Sequence, residues 1–166
     1  FEGSQGLLLD QNIGFFPHVT RSSVGLDNIR KISPELDNVY YVTRAYQTRH
    51  GNGPMTNEGL HHNITPNPNE TNVENAFQGK FRITLLDVDL LEYVLRRSGQ
   101  VAGYKKTLVL TCIDHIANDL RYTRNGRVET FKSEDEFIDS MAVYLGFERV
   151  LVSRADTGTF EVVHIE

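Results

Sequence analysis

The stretch Thr107-Leu108-Val109-Leu110-Thr111-Cys112-Ile113-Asp114 decides the fold class of this chain. Its apolar, β-branched centre predicts a buried strand, and its polar end lies at the C-terminal side. A second buried strand is predicted at Arg149–Ser153, and it ends in the same way. Helical segments separate these strands, which is typical of an α/β fold with a mostly parallel sheet and flanking helices.

Two helices are predicted from their end signals. Residues 87–98 carry acidic side chains at the start and two Arg at the end, which matches the helix dipole. The run Ser133-Glu134-Asp135-Glu136 is a capping box that opens a helix to about Leu145, and Gly146 ends it.

The remaining segments are predicted to be strands and loops. Asn125-Gly126 predicts a hairpin turn between Leu120–Arg124 and Arg127–Phe131. Val39–Tyr46 is predicted to be one strand, and Phe160–Ile165 a last strand after the Asp156-Thr157-Gly158 turn. Residues 14–38 are read as loop and short helix, and residues 51–79, rich in Pro, Asn and Gly, as a long surface loop.

Composition excludes several classes of function. The net charge of the 166 residues is −5 with no basic block, which disfavours nucleic-acid binding. No apolar run reaches the length of a membrane span. The single Cys112 excludes an internal disulfide and favours a cytoplasmic setting. Adjacent His61-His62 point apart in an extended chain, so no metal site is predicted.

Two segments carry a specific family resemblance. Phe1–Thr20 resembles, without a gap, the stretch of adenylosuccinate synthetases that reads FEGAQGxxLDxxxGTYPxVTSS. Val42–Pro54 resembles the family's VKAYTTRVGxGPFPTE. Three shorter segments follow in the family's order, resembling its GRxRRxGWLD, LTKLD and ISTGPD patterns: Gly79–Arg82 with Leu86-Asp87, Leu110–Asp114, and Val152–Asp156.

The resemblance implies a fold and a domain organisation. It implies a ligase fold related to the P-loop NTPases, with the hairpin as an insertion. Residues 1–166 would be the C-terminal part of a synthetase domain. The N-terminal half, which holds the family's phosphate loop and its catalytic Asp and His, would be absent. The missing initiator Met points to the same expectation.

The strand end at Asp114 is the candidate base-binding site. Ligands of open α/β sheets bind beyond the carboxyl ends of strands. A carboxylate there can accept two hydrogen bonds from guanine, and adenine lacks that donor pair. The resemblance implies the same role, and Asp114 capping the following segment is the alternative. Cys112 replaces the family's Lys, and Ser153 either holds the same base or is a turn residue.

Gln5 and Thr20 are the candidate residues for the substrate monophosphate. Gln5 lies in a Gly-flanked turn, where a backbone approaches a ligand closely. The resemblance implies that Gln5 binds the purine monophosphate and that Thr20 contacts its phosphate. The alternatives are a buried turn amide for Gln5 and a strand-end hydroxyl for Thr20.

Lys80, Arg82 and His50 are the candidate residues for aspartate. Two cations one residue apart can close on a dicarboxylate, and the resemblance implies that role. Lys stands at one Arg position of the family pattern, and the upstream Thr pair is missing, for which Thr65 or Thr71 could substitute. Two solvated loop cations are the alternative.

The resemblance also implies an activity. The family transfers the γ-phosphate of GTP, with Mg²⁺, to the 6-oxygen of IMP, and aspartate then displaces that phosphate. The segment alone is expected to be inactive, and the whole protein to be a cytoplasmic homodimer. One alternative is the phage-type relative that joins aspartate to dGMP with ATP or GTP. Another is a non-catalytic nucleotide-binding module.

Overall fold

The computed structural model describes residues 1–98, 104–154 and 158–165. Within these residues the chain forms eight strands, three α-helices and two short 3₁₀ helices. The strands are β1 (Asn38–Arg44), β2 (Tyr46–His50), β3 (Phe81–Asp87), β4 (Lys105–Thr111), β5 (Arg121–Arg124), β6 (Arg127–Thr130), β7 (Arg149–Val152) and β8 (Glu161–His164). The helices are α1 (Leu26–Ile32), α2 (Val88–Arg97) and α3 (Glu134–Leu145), with 3₁₀ helices at Leu7–Leu9 and Ile113–Ile116.

The strands form two four-stranded sheets. The first has the order β1-β4-β7-β8 and the second the order β2-β3-β5-β6. Three described pairings are parallel, namely β1 with β4, β4 with β7, and β3 with β5. The other three are antiparallel. The α/β class is therefore confirmed, but the sheets are mixed and not mostly parallel as the sequence predicted.

The single strand predicted at Val39–Tyr46 is two strands. β1 and β2 belong to different sheets, and the chain passes from one to the other at Ala45. Ala45 is 1% exposed, and its N–H donates to the carbonyl of Thr111 at the end of β4. The segment from Val39 to Tyr46 contains no Gly or Pro, so the sequence carries no signal for this crossing. Strand β3 was also missed.

The local end signals are confirmed. The Asp87 carboxylate accepts from the N–H groups of the first turn of α2, and the Ser133 hydroxyl accepts from the N–H of Glu136 at the start of α3. Gly146 ends α3 at φ +69°, a left-handed conformation that favours glycine. Asn125 and Gly126 form the turn between β5 and β6, so the predicted hairpin is present as the outer part of the second sheet.

One core holds both sheets and α3 together. Leu110 and Val150 of the first sheet and Tyr122 of the second are fully buried in it, beside Phe137 of α3. The rings of Tyr122 and Phe137 meet edge to face at 5.2 Å, a geometry that adds to the hydrophobic stabilisation. No helix among the described residues is long and apolar enough to cross a membrane.

Candidate functional site

The carboxyl edge of the first sheet carries the predicted base-binding residues. β4 and β7 are parallel neighbours, and the N–H of Ser153 donates to the carbonyl of Leu110 at 2.9 Å. The Asp114 side chain is 44% exposed, whereas Ser153 is buried. Asp114 and Ser153 therefore follow neighbouring strands at the same edge, as the sequence predicted. Asp156, which completed the family-like segment, lies outside the described residues.

The backbone before Asp114 differs from the prediction. β4 ends at Thr111, so the strand predicted through Asp114 is three residues too long. Cys112 adopts a left-handed conformation, φ 59° and ψ 34°, and Asp114 then lies in the first turn of a 3₁₀ helix. The residue at the cap position is Cys112 and not Asp114. This turn directs the chain out of the sheet and leaves Asp114 at the surface.

A chain of polar side chains leads from this edge into the long loop 51–79. His115 Nδ1 lies 2.9 Å from the hydroxyl of buried Tyr46, and the two rings stack at 5.7 Å. That hydroxyl also accepts from Arg44 Nη1 at 3.0 Å. Arg44 Nη1 in turn pairs with the Glu70 carboxylate at 2.8 Å. We call Glu70, Arg44, Tyr46 and His115 the polar relay.

The charges of the polar relay stabilise one another. Burial alone would raise the pKa of Glu70, but hydrogen bonds from Asn72 and Arg44 outweigh it and lower the pKa to about 2. Burial opposes the charge of Arg44 as well, yet its bonds to Glu70 and Tyr46 raise its pKa above the ordinary value. Both groups are therefore charged at neutral pH.

The N-terminal segment is organised by Asp10, which is 1% exposed. Its carboxylate accepts from the N–H groups of Asn12, Val24 and Gly25. Burial alone would raise the pKa of Asp10, but these backbone hydrogen bonds outweigh it and hold the pKa below the ordinary value. Asp10 thus closes residues 10–25 into a loop. Asp10 is part of the quoted motif but carried no predicted role.

Thr20 and Gln5 lie on either side of Asp10. The N–H of Thr20 donates to the carbonyl of Leu9 at 2.8 Å, and its hydroxyl lies 3.3 Å from that of Ser22. Gln5 is exposed at φ 70°, a left-handed backbone in keeping with the predicted turn, so it is not the buried amide of the alternative reading. Thr20 lies between the 3₁₀ helix Leu7–Leu9 and α1, away from the described strands, so it is not a strand-end hydroxyl.

The predicted aspartate-binding residues meet where β2 ends and β3 begins. Arg49 lies opposite Arg82, and His50 lies opposite Phe81. The N–H of Gly51 donates to the carbonyl of Lys80, whose side chain is exposed. The structure therefore brings His50, Lys80 and Arg82 to one end of this pair of strands.

Arg82 makes more local contacts than a solvated cation would. Its Nη2 donates to the carbonyls of Gly51 and Gly53, both at 2.8 Å, and its Nη1 pairs with the Glu58 carboxylate at 2.6 Å. Within the described part of the chain, two buried nitrogens here have no hydrogen-bond partner, Arg82 Nε and His50 Nε2. The solvated-cation alternative is therefore wrong for Arg82.

Arg49 joins this turn to the N-terminal segment. Its Nη2 donates to the carbonyl of His18 at 3.2 Å, and its Nε to that of Asn52 at 3.0 Å. A Cβ at Gly53, where φ is +115°, would lie 2.3 Å from Arg49 Nη2, so the guanidinium packs where only glycine leaves room. The segment with Thr20 and the turn with Arg82 are therefore adjacent.

The described residues provide no group of three or more His, Cys, Asp or Glu side chains placed to hold a metal ion.

Sequence reasoning missed the polar relay, whose members come from separate parts of the chain. Arg44 and Tyr46 were visible in the family-like motif, but His115 and Glu70 carried no signal. Their association depends on the crossing at Ala45 and on the course of the long loop.

Polar side chains beyond the carboxyl ends of neighbouring parallel strands are typical of ligand-binding α/β proteins. Comparison with known proteins identifies the family within this class. Residues 1–148 match the sequence model of the family described as adenylosuccinate synthetase. The chain belongs to the adenylosuccinate synthetase family.

Individual relatives agree with this assignment. The adenylosuccinate synthetase of Petrotoga mobilis is 34% identical over 150 residues, which cover 87% of this chain and 36% of the relative. That of Helicobacter pylori strain G27 is 33% identical over 159 residues, covering 89% and 37%. That of Yarrowia lipolytica is 30% identical over 141 residues, covering 81% and 33%. The chain spans about a third of the length of these relatives.

Proposed function

We propose that this chain is the C-terminal part of a ligase that joins L-aspartate to the 6-position of IMP, driven by GTP hydrolysis through a 6-phosphoryl intermediate. Family membership supports the reaction class. The observation that carries the proposal is the exposed Asp114 carboxylate at the edge shared by β4 and β7. The proposed roles are base binding by Asp114, Cys112 and Ser153, monophosphate binding by Gln5 and Thr20, and aspartate binding by Lys80, Arg82 and His50.

Asp114 is suited to recognising guanine. Both oxygens of an ionised carboxylate accept hydrogen bonds, and guanine presents a ring N–H and an amino group side by side. Adenine presents an acceptor at the first of these positions, so a carboxylate would discriminate against it. Ser153 follows the neighbouring strand and contributes a hydroxyl at the same edge. Cys112 offers no long aliphatic stem to cover the base, unlike the family's Lys.

The surroundings of Arg82 support capture of a dicarboxylate. One side of its guanidinium is held by backbone carbonyls, and the other already binds a carboxylate, that of Glu58. The Glu58 side chain is 50% exposed, so a free carboxylate can compete for its place. Lys80 lies directly before β3 and is exposed, so its ammonium group would neutralise the second carboxylate.

Edge strand β1 supports the proposal that this unit docks onto further polypeptide. Tyr40 is 51% exposed and Val42 is 68% exposed, and among the described residues β1 pairs with β4 alone. The charged residue of β1 is Arg44 at its end, and an edge with so few charges is a liability unless another strand covers it. In the proposed whole protein, the phosphate loop, the catalytic Asp and His, and the Mg²⁺ ligands belong to that further polypeptide. The segment alone is then inactive, and the whole protein is a cytoplasmic homodimer.

A second candidate is the phage-type reaction, in which aspartate is joined to dGMP with ATP or GTP as donor. Cys112 favours it, because the left-handed turn places a short side chain where the family has Lys. Phe81, which departs from the family's loop pattern, packs against His50 at 5.8 Å beside the proposed aspartate site. Both departures lie at proposed ligand contacts.

The test uses the native polypeptide with aspartate, Mg²⁺ and GTP or ATP, offered IMP and dGMP separately. Mass spectrometry would detect the aspartyl adduct. We expect an adduct of IMP, whereas an adduct of dGMP alone would establish the phage-type reaction. Folded protein that forms neither adduct would refute the ligase proposal and favour a nucleotide-binding module.

The control is the variant Lys132→Met, at an exposed position between β6 and α3. It should leave the rate of adduct formation unchanged.

A further inference from the structure

The hydrogen bonds of the polar relay have a defined direction. The guanidinium of Arg44 only donates, so the Tyr46 oxygen accepts at 3.0 Å. The Tyr46 hydroxyl proton then has His115 Nδ1, at 2.9 Å, as its described acceptor. Since neutral imidazole carries one proton, that proton is on Nε2. The relay therefore selects one tautomer of His115.

The selected N–H faces the candidate base-binding carboxylate. His115 Nε2 lies 3.7 Å from Asp114 Oδ2, which is close enough for electrostatic attraction but longer than a hydrogen bond. The His115 side chain is only 12% exposed and its ring stacks on Tyr46, so the imidazole is fixed. The Asp114 side chain is 44% exposed, and the imidazole of His115 is the basic group described beside it.

The same relay is anchored in loop 51–79 at two points. Glu70 pairs with Arg44 at 2.8 Å, and the N–H of Thr65 donates to the carbonyl of His115 at 2.9 Å. Glu70 is itself held by Asn72, whose N–H and side-chain amide both donate to it. This loop leads directly into Lys80 and Arg82. It therefore connects the proposed aspartate-binding residues to the proposed base-binding edge.

We propose that His115 is a positioning residue for Asp114, and that the relay through Tyr46 and Arg44 to Glu70 makes base recognition depend on the order of loop 51–79. The inference rests on the proposed role of Asp114 in binding guanine. A carboxylate held by the relay presents its free lone pairs to the ring N–H and the amino group together. Without the relay the carboxylate rotates, and the second hydrogen bond is lost first.

The test compares the affinities of the native polypeptide for GTP and ITP. Hypoxanthine lacks the 2-amino group of guanine, so the ratio of the two affinities reports the second hydrogen bond to Asp114. We expect Tyr46→Phe to reduce this preference for GTP about tenfold, the lower end of the effect of one hydrogen bond to a charged group. His115→Phe should reduce it to a similar extent, and Glu70→Gln about 2-fold.

Matched controls separate positioning from stability. Tyr122→Phe also removes a buried hydroxyl, which donates to Ser140 at 2.9 Å, and Glu129→Gln also breaks an ion pair, with Arg124 at 2.8 Å. Both controls lie in the second sheet and should leave the GTP preference unchanged. If Tyr46→Phe and His115→Phe weaken GTP and ITP binding equally, their role is structural and the inference is overturned.

The variant Asp114→Asn separates this inference from the proposed function. If Asp114→Asn abolishes the GTP preference while Tyr46→Phe and His115→Phe leave it intact, Asp114 reads the base without help from the relay. If Asp114→Asn leaves the preference intact, or if the unaltered protein has none, the proposed base recognition fails and the inference fails with it. Retained folding of each variant is checked by its thermal midpoint.

Discussion

The two loops proposed to bind substrate are organised by opposite charges. In the N-terminal segment, the buried carboxylate of Asp10 gathers three backbone N–H groups. In the turn after β2, the guanidinium of Arg82 gathers two backbone carbonyls and the Glu58 carboxylate. Asp10 is 1% exposed, whereas the Arg82 side chain is 24% exposed.

This difference in exposure separates a structural charge from one that can also bind. All the contacts of Asp10 are internal and it is sealed from solvent, so its role ends with the shape of the loop. Arg82 holds its loop with one nitrogen and a half-exposed carboxylate with another. A ligand can therefore reach Arg82 without unfolding the turn. Charge type alone, read from the sequence, does not distinguish these cases.

The largest expected effect is that of Asp10→Ala. The change leaves three backbone N–H groups without their acceptor and opens a cavity beside α1. Because hydrogen bonds to a buried charge are strong, we expect a loss of about 3 kcal/mol in the free energy of unfolding. Urea denaturation followed by circular dichroism would measure it. A loss below about 1 kcal/mol would show that the loop holds its shape without Asp10.

Acid pH sharpens the same prediction. The pKa of Asp10 is lower in the folded than in the unfolded protein, so its contribution is complete above the unfolded pKa and is lost as pH falls through the folded pKa. The difference in stability between the unaltered protein and Asp10→Asn should be constant above about pH 5 and shrink below about pH 4. A difference that does not change with pH would mean that the ionised carboxylate is not the stabilising form.

The second effect is that of Arg82→Lys, which keeps the charge but loses the planar fork. A lysine ammonium cannot hold the Gly51 and Gly53 carbonyls together with Glu58, so we expect a loss of about 1.5 kcal/mol. Thermal unfolding measures this loss, and the KM for aspartate measures the proposed binding role. Glu58→Gln is the matched variant, because it removes the competing carboxylate and should lower that KM. A higher KM for Glu58→Gln would contradict the competition.

Local signals in the sequence predicted local structure well. The capping residues of α2 and α3, the glycine after α3 and the Asn-Gly turn each act over four residues or fewer, and all are confirmed. The placement of Asp114 and Ser153 at one edge of the first sheet was predicted from a general rule about parallel strands. The prediction succeeded because β4 and β7 are indeed neighbours.

Features that depend on distant residues were not predictable in this way. The crossing at Ala45 follows from the pairing of β1 with β4 and of β2 with β3, which no local pattern encodes. Strand β3 was missed because it is buried between β2 and β5, and no local pattern shows which strands will lie beside it. The relay joins Arg44 and Glu70 to His115 across loop 51–79, and only the folded chain reveals it.

The smallest expected effect on stability is that of Lys80→Met, and it completes the comparison. Lys80 is exposed, and it is its carbonyl that accepts from the N–H of Gly51, so we expect a change within about 0.5 kcal/mol. If Lys80 binds aspartate, the same change should raise the KM for aspartate about tenfold, as loss of one charged hydrogen bond would. Lys105→Met is the control. Lys105 is also exposed, but it lies at the amino end of β4, away from the carboxyl edge that carries Asp114. Equal kinetics for the two variants would assign Lys80 to the solvent and leave aspartate capture to Arg82, the charge that is built into the fold.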